Sequence, residues 1–94
     1  MATLNTLEGL IVRKQGLRGG RPIIAGSGVT VRTIVGHYKL GLTAEEISDE
    51  MNLPMAGVYA ALAYYHLNQP EIEADFKANS EAAVMEKIIG GGAN

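Results

Sequence analysis

The spacing of hydrophobic positions changes along the chain, and each change marks an element. Residues 9–15, GLIVRKQ, and 21–26, RPIIAG, are short β-branched runs bounded by Gly16, Gly19, Gly20 and Gly26, which predicts two short strands in a β-ribbon. From Thr30 the period lengthens. Val31, Ile34, Val35 and Tyr38 fall at i, i+3, i+4 and i+7, one stripe of an amphipathic helix with Thr30 as N-cap and Gly41 as its stop. The stretch LTAEEISDEMN opens a second helix, in which Thr43 and Glu46 have capping-box spacing while Ile47 and Met51 supply the buried side. A third helix runs from about Pro54 to Leu67, where NQP interrupts it. A fourth starts at Pro70, in PEIEADFKANSEAAVMEKII, and runs into a frayed GGGAN tail. The pattern predicts a mainly α fold. Residues 1–69 form a short N-terminal β-ribbon and a helix-turn-helix three-helix core, and residues 70–94 a C-terminal helical extension.

The third helix departs from the amphipathic rule. Val58, Ala61, Leu62 and Tyr65 face the core, yet the opposite side carries Ala56, Tyr59, Ala60, Ala63, Tyr64 and Leu67. A helix apolar all round is normally covered on both sides. Its outer side holds no Arg, Lys, Asn or Gln to reach base edges in a major groove. Tyr59, Ala63, Tyr64 and Leu67 are therefore the expected interface of a homodimer, an expectation strengthened by the ribbon, whose edges need a partner.

Composition narrows the class. A chain of 94 residues, 47% hydrophobic and 19% charged, has the balance of one globular domain. With no cysteine it can form neither a disulfide nor a thiolate metal site, so the expected compartment is the cytoplasm. The longest apolar run, VYAALAYYHL, is half a bilayer span, and no membrane association is expected. The net charge of −2 hides an asymmetry. Residues 1–42 carry Arg13, Lys14, Arg18, Arg21, Arg32 and Lys39 against Glu8, a net of +5; residues 43–94 carry two lysines against nine carboxylates, a net of −7. The six cations are the candidate contacts to double-stranded DNA phosphates. Two unevenly solvated surfaces would give the same pattern.

No pattern points to catalysis. The Gly26-Ser27-Gly28 loop lacks the lysine of a P-loop and the third glycine of a dinucleotide fingerprint, so it reads as a turn delivering Thr30 to a helix start. His37 and His66 lie on different helices without metal-ligand spacing, and Glu45, Glu46, Asp49 and Glu50 read as a solvated face. The expectation is a protein that is not an enzyme, with no cofactor and no metal.

The string GLRGGRPIIAGSGVTVRTIVGHYKLGLTAEEISDEM, followed by VYAALAYY, resembles the domain-of-unknown-function 433 family of small bacterial proteins. The likeness covers about residues 9–76. It implies a homeodomain-like helix-turn-helix and an antitoxin-like protein that neutralises a PIN-like nuclease toxin and binds operator DNA. Gly28 stands where members of that family commonly have arginine, and Pro54 and Gly57 stand where they often have a third-helix capping box. On this reading Ile72, Phe76, Val84 and Ile88 anchor the partner nuclease while the carboxylates around them face its basic groove. Periodicity alone equally allows the C-terminal helix to fold back on its own core. The alternative function is an adaptor module that binds a protein and never touches DNA.

Overall fold

A computed structural model describes residues 8–78. The ribbon is present and shorter than the apolar runs predict: β1 (Ile11–Val12) and β2 (Ile23–Ile24) pair antiparallel, Ile11 opposite Ile24 and Val12 opposite Ile23. A single 3-10 turn over Arg18–Gly20 bends the connection. After β2 the Gly-Ser-Gly loop reverses the chain, with Gly26 and Gly28 at φ +79° and +72°, a region open to glycine at little cost. Ser27 closes the turn. Its hydroxyl donates to the Ile24 carbonyl (2.8 Å) and accepts from the Val29 N–H (3.0 Å), and the Ile24 N–H donates to the Val29 carbonyl (2.8 Å). The loop is a structural turn, as its residue spacing indicates.

Helix α1 (Val31–Lys39) begins at Thr30, whose side chain accepts from the Thr33 N–H (3.1 Å). Helix α2 (Ala44–Met51) carries the complete capping box: the Thr43 N–H donates to Glu46 Oε1 (2.8 Å) and the Glu46 N–H to Thr43 Oγ1 (3.1 Å). Asn52 ends α2 in the left-handed region, and Pro54 opens α3 (Met55–Leu67) without a side-chain cap. Together α2, the short turn and α3 make the helix-turn-helix. Helix α3 is the central element, packed against α1, α2 and both strands.

Chain 69–78 is helical and is called α4 here. Its first N–H groups are met by the Asn68 carbonyl, which accepts from Glu71 (3.1 Å) and Ile72 (3.3 Å). Residue 69 was the expected end of the globular unit, yet Ile72 is 2% exposed and sits in the same cluster as Ile24, Ile34, Ile47, Val58 and Leu62. Packing runs across the 69/70 boundary because α4 presents Ile72 and Phe76, one turn apart, to the core. Among the described residues, no helix is long and apolar enough to cross a membrane.

Candidate functional site

The two charged halves of the chain meet along α4. Arg21 makes a two-point ion pair with Asp75, Nε to Oδ2 at 2.7 Å and Nη2 to Oδ1 at 3.1 Å, and Arg32 Nη1 lies 3.5 Å from the same carboxylate. Lys39 Nζ donates to both oxygens of Glu73, at 2.9 and 2.7 Å, and lies 4.6 Å from the centre of the Phe76 ring. Arg13 pairs with Glu71 and also donates to the Tyr64 hydroxyl (2.9 Å) and the Gly20 carbonyl (3.0 Å). Tyr64 in turn donates to Glu71 (2.9 Å), and Tyr65 donates to Glu73.

Titration behaviour follows these contacts. The Glu71 hydrogen bond raises Arg13, the Asp75 bond raises Arg21 and the Glu73 bond raises Lys39 above their ordinary values. Glu73 is held below the usual carboxylate range, first by Lys39 and then by the Tyr65 hydroxyl. Removal from water is the main cause that pushes the Tyr64 phenol up.

Four of the six candidate DNA contacts, Arg13, Arg21, Arg32 and Lys39, therefore face carboxylates of the same chain. Among the described residues no ion pair involves Lys14 or Arg18. Arg18 donates through Nε to the Gly28 carbonyl (3.1 Å) and, with Arg32, Thr30 and Thr33, borders a shallow depression of about 230 Å³. Of the candidate partner anchors, Ile72 is buried in the core cluster and Phe76 is half-buried against it. Val84 and Ile88 lie outside the described residues. His37 bonds the Thr33 carbonyl through Nδ1 (2.9 Å), and His66 stacks at a tilt on Tyr65, each accounted for by its own helix.

The outer side of α3 is open. Tyr59 is 50% exposed and Leu67 83%, and Ala63 is exposed between them. Ala60, Ala63, Tyr64 and Leu67 join Gly9 and Ile11 of the ribbon to line an apolar groove of about 270 Å³, with Glu8 at its edge. Of the expected interface residues, Ala63, Tyr64 and Leu67 line this groove and Tyr59 does not, its hydroxyl donating instead to Glu45 (3.3 Å); the ribbon side, some 50 positions away, left no local signal.

Fold and surfaces together define a small helix-turn-helix protein with a β-ribbon packed under its third helix. The chain belongs to the family described as "Protein of unknown function (DUF433)", whose family model matches residues 11–65, from β1 to the last core position of α3. It is similar to the crystal structure of a DUF433 member protein from Anabaena variabilis ATCC 29413, with a TM-score of 0.67 and 26% identity over 73% of this chain and 69% of that one. No curated protein matches the chain significantly.

Proposed function

We propose that the protein is a non-enzymatic protein-binding module of the antitoxin-like kind, which pairs with a second copy through the outer side of α3 and holds a PIN-like nuclease in check. The observation that carries this reading is the open apolar groove between α3 and the ribbon, lined by Ala60, Ala63, Tyr64, Leu67 and Ile11. Ala63 and Leu67 of this groove are exposed, and covering them removes apolar surface from water. Self-complementary pairing of α3 would cover it in both copies. The nuclease partner comes from the family resemblance. Operator DNA is the weaker part of the antitoxin reading, because four of the six cations are engaged within the chain and α3 offers no base-reading side chain on its outer face. Of the six, Lys14 and Arg18 have no ion pair among the described residues.

Co-expression with the PIN-like nuclease of the same cell tests the reading. The natural chain restores growth, and Ala63→Arg, which sets an unpaired charge in the groove, does not. Growth inhibition that persists with the natural chain contradicts it. Electrophoretic shift of duplex DNA at low salt separates the two arms: binding with a steep salt dependence restores the operator role, and its absence leaves the adaptor.

A further inference from the structure

The depression of about 230 Å³ bordered by Arg18 and Arg32 gathers more positive charge than the ion pairs around it neutralise. Arg21 Nη1 donates to the Arg18 carbonyl (3.2 Å), and Arg21 and Arg32 share Asp75. Among the described residues Asp75 is the one carboxylate in ion-pair contact with these three guanidiniums, which leaves the group an excess of two positive charges. The donors are also under-used. The Arg32 side chain is only 27% exposed, yet its contact with Asp75 is 3.5 Å, beyond hydrogen-bond length. Arg18 is held through Nε on the Gly28 carbonyl, and neither of its Nη groups makes a hydrogen bond among the described residues. The hydroxyls of Thr30 and Thr33 share one bond (2.9 Å), which uses one of their two O–H protons and leaves the other to donate. Val29 and Met51 complete a lining that contains no carboxylate and no aromatic ring.

We infer that this depression binds one phosphate group, with Arg18 and Arg32 as its cationic contacts and a threonine hydroxyl as a third donor. Guanidinium forks match the paired oxygens of a phosphate, and the Nε bond to Gly28 fixes one fork before the ligand arrives, so less freedom is lost on binding. Donors on two arginines and a threonine suit an anion with oxygens in several directions better than a planar carboxylate. With no ring for a base to stack on, the site reads the phosphate and leaves the group that carries it outside. It shares no lining residue with the α3 groove and stands whether or not two copies pair there.

Amide chemical shifts of the full chain, followed by NMR as inorganic phosphate is raised to about 20 mM at constant ionic strength, test the site without a change in screening. Saturable shifts are expected at residues 18 and 28–33. Arg18→Gln and Arg32→Gln should each weaken binding about tenfold or more, the scale of a lost charge-assisted hydrogen bond, while Arg13→Gln, outside the depression, should leave it within about twofold. Arg18 is exposed and has no ion pair among the described residues, so its variant decides the matter even if Arg32→Gln does not fold. A short DNA duplex at the same ionic strength then distinguishes the source of the phosphate. Shifts of the same amides at a lower concentration of duplex phosphate assign the DNA backbone, and a response to inorganic phosphate alone assigns a small phosphate ligand. No saturable shift with either probe, or shifts that Arg18→Gln leaves unchanged, overturns the site.

Discussion

Replacing Ile72 by alanine removes the contact that decides whether α4 belongs to the core. The side chain is 2% exposed, and its neighbours in the cluster include Val31, Ile34, Val35 and Tyr65. Burial of an isoleucine stabilises by about 1.5–3 kcal/mol, and truncation to alanine also leaves a cavity that rigid neighbours fill only partly, for a cost of about 2–5 kcal/mol. The low end is expected here because α4 is a peripheral helix, held on one side, and can settle toward α1. A loss of 2–3 kcal/mol corresponds to a fall in Tm of roughly 8–24 °C for a domain of this size. Thermal and urea unfolding followed by circular dichroism would measure it, with Ala74→Ser on the exposed side of α4 as the control. An Ile72→Ala midpoint within about 0.5 kcal/mol of the natural chain, the range of ordinary surface changes, would refute the packing of α4 on the core.

Two glycines on helices should respond to alanine with opposite signs. A Cβ on Gly57 would stand 2.8 Å from Ile24 Cγ2, a buried branched side chain with nowhere to move, so overpacking should outweigh the helix-propensity gain of about 1 kcal/mol and leave a net loss of about 1 kcal/mol. On Gly36 the same carbon meets the Phe76 ring at an ordinary 3.8 Å, and the propensity gain of about 0.5–1 kcal/mol should appear; urea midpoints of both variants check the contrast, and equal signs would contradict it. Acid should weaken the fold. Glu46, held down by the Thr43 N–H and hydroxyl, and Glu73, held down by Lys39 and Tyr65, release protons more readily folded than unfolded, so their contribution is present above the ordinary glutamate pKa of about 4.3 and is lost as pH falls through the folded-state value. The chain carrying Glu46→Gln and Glu73→Gln should show a shallower acid limb in urea midpoints, and an unchanged limb would contradict the assignment. Lys39 acts at the other end: raised by Glu73, its contribution holds below the ordinary lysine pKa and is lost as pH rises through the folded-state value.

Local features were readable from the residues alone. The Thr43–Glu46 box, the Thr30 cap and the Val31–Ile34–Val35 stripe are settled within one or two turns of chain, where spacing determines contact. The inner side of α3 followed for the same reason, with Val58, Ala61, Leu62 and Tyr65 all buried. Long-range pairing was not readable. Charge asymmetry announced a basic half and an acidic half, but Arg21 and Asp75 are 54 positions apart, and nothing in their spacing says that each is the other's counter-ion. Ile72 and Phe76 show why a stripe is ambiguous: period identifies an apolar face and is silent on whether the chain or a partner covers it. Gly57 is the opposite case. Against the family resemblance it stands out as a missing acidic cap residue, while in the fold it is the position where α3 and β2 approach too closely for a side chain.

The outer side of α3 as a protein interface is tested most directly by the mass of the chain in solution. Light scattering at micromolar concentration should give twice the 10.0 kDa of one chain. Ala63→Arg, in the lining of the groove, should return it to the single-chain mass with its helical content intact. A natural chain that stays at 10.0 kDa across that range, or a dimer that Ala63→Arg leaves untouched, would contradict the assignment of this surface.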